Sequence, residues 1–151
     1  MYLDDGILLY SVPYYDGEIL TSRVVEISLS TGGEKIYDWG RYVYSPKKDG
    51  NYIAFLSSAT GATDNIYLSE KGDTPTLLVE DVVNYDMGDG FLAYTKGGSV
   101  YVYVFDNGKT YRLNTQISKG LLADVNGKEV CWYDVTDTKD VDVVKYASVA
   151  W

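Results

Sequence analysis

The sequence predicts an all-β fold: a β-propeller of about four blades, with three complete four-stranded antiparallel blades followed by a partial one. Three observations carry this. The turn pairs Asp5-Gly6, Asp49-Gly50, Asp89-Gly90 and Asn126-Gly127 recur with their glycines 44, 40 and 37 residues apart, close to the period of propeller blades. A near-continuous apolar run follows every one of these turns. No segment shows a convincing helical period.

Each Asp-Gly or Asn-Gly pair tolerates positive φ, so each should close a hairpin between a first and a second strand. The second strands are Ile7 to Tyr10, Tyr52 to Phe55, Phe91 to Tyr94 and Glu129 to Trp132, each ending in an aromatic residue. Apolar side chains on both sides of a strand require burial on both faces, which makes these the central strands of stacked sheets. Third strands follow at Val24 to Leu29, Asp64 to Ser69, Val100 to Phe105 and Val141 to Tyr146. Three of them lead through glycine turns to short polar strands, Lys35 to Asp38, Thr76 to Val79 and Thr110 to Leu113, suited to outer edges. Innermost strands begin the later units at Tyr42 to Ser45, Val82 to Asp86 and Leu121 to Val125, and Tyr2-Leu3 reads as the tail of the first. Pro13 falls in the loop after the first apolar run. The approximate blades are 1–40, 41–81, 82–115 and 116–151, in one domain, and the last has no identifiable fourth strand.

At 151 residues such a domain buries roughly 70% of the surface its unfolded chain exposes, so a core forms without staples. Cys131 is the sole cysteine and has no disulfide partner within the chain. Its place in an apolar strand makes it a small core residue. With no histidine, imidazole-bound metal and the usual Ser or Cys nucleophile arrangements are excluded. No serine stands in a GxSxG elbow, and there is no phosphate-binding loop or dinucleotide fingerprint, so no cofactor is expected. A net charge of -9 opposes nucleic acid and anionic membranes, and no apolar run is long enough to span a bilayer. The N-terminus shows neither a basic nor an apolar leader region, so no signal peptide is expected. Sixteen tyrosines suit half-buried pleated surfaces and also offer an aromatic binding surface.

Most carboxylates stand beside glycine in turns, where they bond their own backbone. The cluster Asp134, Asp137, Asp140 and Asp142 falls between the second and third strands of the fourth unit. Oxygen-only ligands suit calcium, but EF-hand spacing is lacking and a solvated acidic loop is the default. Lys47 and Lys48 form a basic pair in a solvated turn.

The second unit, with Ser45-Pro46, Asp49-Gly50, Ile53-Ala54-Phe55 and Asp64-Asn65-Ile66-Tyr67, resembles the repeats of TolB-type propellers. The Ser-Pro pair is missing from the other units, and Trp132 replaces the central aromatic in the fourth. The resemblance implies about half of a ring of six to eight blades, channel-mouth loops as the binding region, and a bacterial cell-envelope or secreted setting. A non-catalytic scaffold for a protein, peptide or glycan is therefore the leading expectation. The alternatives are the propeller part of an enzyme such as a peptidase, and a self-assembling module. For the last, the open edge at Val141, Val143, Val144 and Tyr146 is the expected site of homo-oligomeric pairing.

Overall fold

The computed structural model describes residues 1–58, 61–136 and 143–150. Among the described residues there are strands but no helix, and the strands form four antiparallel sheets. The backbone divides into two compact units, Met1–Glu80 and Asp81–Trp151.

The first unit holds two sheets. Sheet 1 runs in chain order through β1 (Tyr2–Asp4), β2 (Ile7–Asp16), β3 (Ile19–Ser28) and β4 (Glu34–Asp38). Sheet 2 runs through β5 (Tyr44–Asp49), β6 (Tyr52–Ser57), β7 (Asp64–Glu70) and β8 (Thr76–Val82). The central strand β6 explains why the sheets stack: Ile53, Ala54, Phe55 and Leu56 are all buried, although successive side chains point to opposite faces. Ile53 and Phe55 join Leu9, Val24, Tyr37 and Val43 in the core between sheets 1 and 2. Through this core runs an aromatic column. Tyr37 stacks on Trp39 at 5.4 Å, Trp39 on Phe55 at 5.0 Å and Phe55 on Tyr67 at 5.8 Å.

The second unit repeats the plan. Sheet 3 is β9 (Asn84–Gly88), β10 (Phe91–Lys96), β11 (Ser99–Val104) and β12 (Lys109–Arg112). Sheet 4 has three strands among the described residues, β13 (Ser118–Asn126), β14 (Glu129–Thr136) and β15 (Val143–Ser148). Phe91, Val100, Val102, Leu122, Val130 and Trp132 form the core between them.

Several details differ from the sequence reading. Pro13 lies inside β2, paired with Ser22, because β2 and β3 continue as a two-stranded ribbon beyond the reach of β1 and β4. With no β1 residue opposite it, its missing N–H breaks no ladder on that side. The strand expected to end at Ser45 continues to Asp49 as β5, and Ser45-Pro46 forms a bulge within it. The register shifts between Tyr44 and Lys47, with Ser45 at φ +49. Val82 closes β8 and does not open β9. Of the four predicted hairpins, two place the glycine second in the loop, at Asp5-Gly6 and Asp89-Gly90. In the other two Asp49 and Asn126 are the last paired residues and Gly50 or Gly127 comes first, with φ +51 and +56.

Sheets 1 and 2 are also joined by a half-buried ion pair. Lys48 Nζ lies 2.7 Å from Glu26 Oε1, with side-chain exposures of 19% and 14%. The Tyr37 hydroxyl donates to Glu26 Oε2 at 2.7 Å. Burial alone would raise the Glu26 pKa, but the bonds from Lys48 and Tyr37 outweigh it and hold the carboxyl below its ordinary value. Burial, then Glu26 itself, pushes the Tyr37 phenol up.

A depressed carboxylate pKa stabilises the fold above the unfolded-state value of about 4.3, and that stabilisation disappears as pH falls through the folded value. Glu26→Gln should therefore lower stability at pH 7 by about 1–3 kcal/mol. Urea unfolding at a series of pH values should show this deficit shrinking steadily below about pH 4. A deficit that is constant with pH would show that the ionised carboxylate is not its source.

Candidate binding surface

Alternation of strand direction places three connections of the first unit at one end: the β2–β3 turn, the linker 39–43 and the β6–β7 connection. Ser22, buried near the end of the ribbon, fixes the linker there. Its N–H donates to the Arg41 carbonyl at 3.1 Å, and its hydroxyl donates to the Val43 carbonyl at 2.9 Å while accepting from Val43 N at 2.6 Å. Ser57 Oγ donates to the Tyr42 carbonyl at 2.8 Å.

Two aromatic and charged groupings gather at this end. In the first, the Arg23 guanidinium lies 4.4 Å over the Tyr14 ring, and Arg23 Nε and the Tyr14 hydroxyl both donate to Asp38 Oδ2, at 3.0 and 2.8 Å. Bonds from Arg23 and then Tyr14 hold the Asp38 carboxyl below its ordinary range. In the second, Arg41 stacks 4.1 Å over Tyr67 and so caps the aromatic column. Its Nε is buried with no hydrogen-bond partner. Beside it Tyr42 and Tyr44 pack ring to ring at 5.7 Å, and the Tyr44 hydroxyl donates to Asp64. Burial, then Asp64, raises the Tyr44 phenol pKa. The ribbon tip projects Tyr15 and Ile19, each 71% exposed, and Tyr42 is 38% exposed. Exposed tyrosine rings provide flat apolar contact with a hydroxyl at the rim.

The second unit carries a polar network at the corresponding end of its own sheets. Asn114 accepts from Val100 N at 2.9 Å and donates to the Ser118 carbonyl at 2.8 Å, fixing the β12–β13 linker. Asp134, whose side chain is fully buried, accepts from Lys145 Nζ at 3.0 Å, Ser118 Oγ at 3.3 Å and Trp132 Nε1 at 3.4 Å. Burial acts to raise its pKa, but these three bonds prevail and lower it. Elsewhere in this unit, a cleft of about 390 Å³ opens between the β11–β12 side of sheet 3 and the end of β15, lined by Val102, Val104, Tyr111, Leu113, Val149 and Ala150, with Asn107 and Ser148.

Of the acidic cluster singled out by sequence, Asp134 belongs to β14 and not to a solvated loop, because Lys145 on the paired strand neutralises it. Asp137, Asp140 and Asp142 lie outside the described residues. Among the described residues no group of three or more His, Cys, Asp or Glu is placed to hold a metal ion. Of the edge residues, Val141 lies outside the described residues. Val143, Val144 and Tyr146 sit on β15, at the edge of sheet 4, with exposures of 45%, 53% and 79%. Cys131 is half-buried, on the face of β14 opposite Val130 and Trp132, and is not a core residue. Sequence reasoning missed Arg41 and the aromatic column. The available signal was the cluster Tyr37, Trp39, Arg41, Tyr42 and Tyr44 in a stretch read mainly as edge strand and connection.

No family model matches the chain, and no curated protein matches it. Among solved structures it is similar to the β-propeller domain of the Trilobed protease from Pyrococcus furiosus, described as having an open velcro topology. The TM-score is 0.59 at 10% identity, over 95% of this chain and 51% of the other. The chain thus has a β-propeller fold and spans about half the length of the domain it matches.

Removing the Asp134 carboxylate takes the acceptor from the Lys145 ammonium and the Trp132 indole N–H and one of the two acceptors from the Ser118 hydroxyl, which also reaches the Thr115 carbonyl at 3.3 Å. Asp134→Ala should lower unfolding free energy by about 1–3 kcal/mol. Asp124→Ala, at an exposed position of the same sheet, should change it by less than about 0.5 kcal/mol. Urea titrations of both variants check this contrast.

Proposed function

We propose that this chain is a non-catalytic β-propeller module, a binding scaffold for a protein, peptide or glycan, working within a larger or self-assembling protein. The observation that carries the reading is the end of the first unit, where Tyr15 near the tip of the β2–β3 ribbon, Tyr44 and the Tyr14–Arg23–Asp38 group on the strand ends accompany Tyr42 on the linker that buried Ser22 fixes. Function in such a fold resides in a site of this kind and not in the architecture. The side chains there offer aromatic faces and hydrogen bonds, and their tyrosines, arginines and carboxylates are engaged with one another in structural contacts. The TolB-type resemblance of the second repeat, with its cell-envelope setting, agrees with a binding role.

A second reading is the accessory propeller of a peptidase. It is favoured by the similarity to a propeller domain that belongs to a protease. A hydrolase domain encoded in the same polypeptide would distinguish it from a free-standing binding module.

The test uses arrays of immobilised peptides and oligosaccharides, with casein and p-nitrophenyl glycosides as reporters of turnover. The expected result is binding without turnover. The double variant Tyr15→Ala and Tyr42→Ala should weaken that binding by roughly tenfold or more, with an unchanged thermal midpoint. Binding that survives both substitutions, or steady turnover of either reporter, would overturn the reading.

A further inference from the structure

Of the chain's three arginines, Arg23 donates to the Asp38 carboxylate and Arg112 to the Thr115 carbonyl. The Arg41 guanidinium donates to no group among the described residues, although Arg41 is half-buried. Its Nε is closed off from solvent without a bond, whereas its two terminal nitrogens stay open to solvent. A half-buried cation with unspent donors is costly until an acceptor reaches it. The side chain is nevertheless held in place. Its guanidinium carbon lies 4.1 Å from the centre of the Tyr67 ring, and the Arg41 carbonyl accepts from Ser22 N at 3.1 Å. The nearby carboxylates do not serve as its counter-ion, because Asp64 takes the Tyr44 hydroxyl and Asp38 takes Arg23 and Tyr14.

We propose that Arg41 anchors a single carboxylate of a peptide ligand, and that an apolar side chain next to that carboxylate rests on Tyr15 and Leu20. This rests on the binding role proposed above and names its ligand class. A guanidinium presents a planar fork of donors that a carboxylate matches with two parallel bonds, and one already fixed in place loses little freedom on binding. The apolar half of the site follows from the ribbon's register. Leu20 pairs with Tyr15, and Ser22 with Pro13. Alternation along the strands therefore puts Tyr15 and Leu20 on the face that carries Ser22 and the core residue Val24. They stand one step closer to the ribbon tip than the bonds Ser22 makes to the linker, with exposures of 71% and 41%. Leu20 offers apolar area to a peptide side chain, but no polar partner to the hydroxyls of a sugar. The net charge of -9, with exposed Asp16 and Glu18 at the ribbon tip, opposes a polyacidic partner. One carboxylate with an apolar neighbour is the form that fits, whether from an Asp or Glu side chain or from a peptide C-terminus.

The test is a complete tripeptide library tethered through its N-termini, displayed once with free and once with amidated C-termini, alongside oligogalacturonate. Retained peptides should pair a carboxylate with an adjacent apolar residue. Enrichment of Asp or Glu on the amidated arm assigns the carboxylate to a side chain; retention confined to the other arm assigns it to the C-terminus. Replacing that carboxylate by its amide should weaken binding roughly tenfold or more. Arg41→Met keeps an apolar stem over Tyr67 and should erase the preference for acid over amide while leaving amide binding unchanged, a ratio that a merely structural role would not move. Arg41→Lys, which keeps the charge without the fork, should retain part of the preference. Leu20→Ala should weaken acid and amide forms alike. Peptides held equally in both forms, or a preference that survives Arg41→Met, would overturn the inference and leave the binding role standing. So would oligogalacturonate held through Arg41 with no peptide retained. Retention of neither peptides nor oligosaccharides would overturn both.

Discussion

A strand that is apolar on both sides has to be covered on both sides, and the rest of the structure depends on this constraint. β6 states it in four residues: Ile53 and Phe55 face one way, Ala54 and Leu56 the other, and all four are buried. A single sheet cannot satisfy such a strand. β10 repeats the pattern, with Phe91, Leu92, Ala93 and Tyr94 all buried. At roughly 25 cal/mol per Å² of apolar surface, these strands dominate the free energy of stacking. The turns and edge strands determine which sheet a residue belongs to.

Hydrophobic contact is non-directional, so it does not fix how one sheet meets the next. Buried hydroxyls on the strands do that, by binding the backbone of the neighbouring segment. Ser22 binds the backbone of Arg41 and Val43, and Thr95 Oγ1 accepts from Leu122 N at 2.8 Å in the other unit. In each case one hydroxyl of an already-formed sheet satisfies backbone groups of the chain entering the next. Gly88 adds a steric condition, since a Cβ there would lie 2.4 Å from Phe91 Cζ and 2.5 Å from the Gly127 carbonyl. Only a bare backbone admits β10's first aromatic side chain beneath the following hairpin.

The repeat, its four sheets and most strand positions were legible because turn dipeptides and apolar runs are local signals that the tertiary structure did not override. What was not legible depended on contacts distant in sequence. Pro13 reads as a loop residue until the partner strand Ile19–Ser28 is known to extend alongside it. Asp134 reads as a loop carboxylate because its counter-ion Lys145 arrives from the next strand. Cys131 alternates with Val130 and Trp132, and composition alone could not show that its face of the sheet is the uncovered one. For the candidate surface, the abundance of tyrosine was visible, but which rings stack inside and which project had to come from the register.

The distribution of tyrosines also links stability to function. Tyr37 and Tyr67 belong to the aromatic column with Trp39 and Phe55, and Arg41 closes that column at the end where the connections gather. Tyr42 and Tyr44 flank the same arginine's linker and face outward to different degrees. A ligand resting on Tyr42 would therefore contact a linker whose position is set by the core and by Ser22. Little conformational freedom remains to be lost on binding, which is the condition under which a few exposed rings hold a partner effectively. The same column that holds sheets 1 and 2 together thus pre-organises the surface proposed for binding.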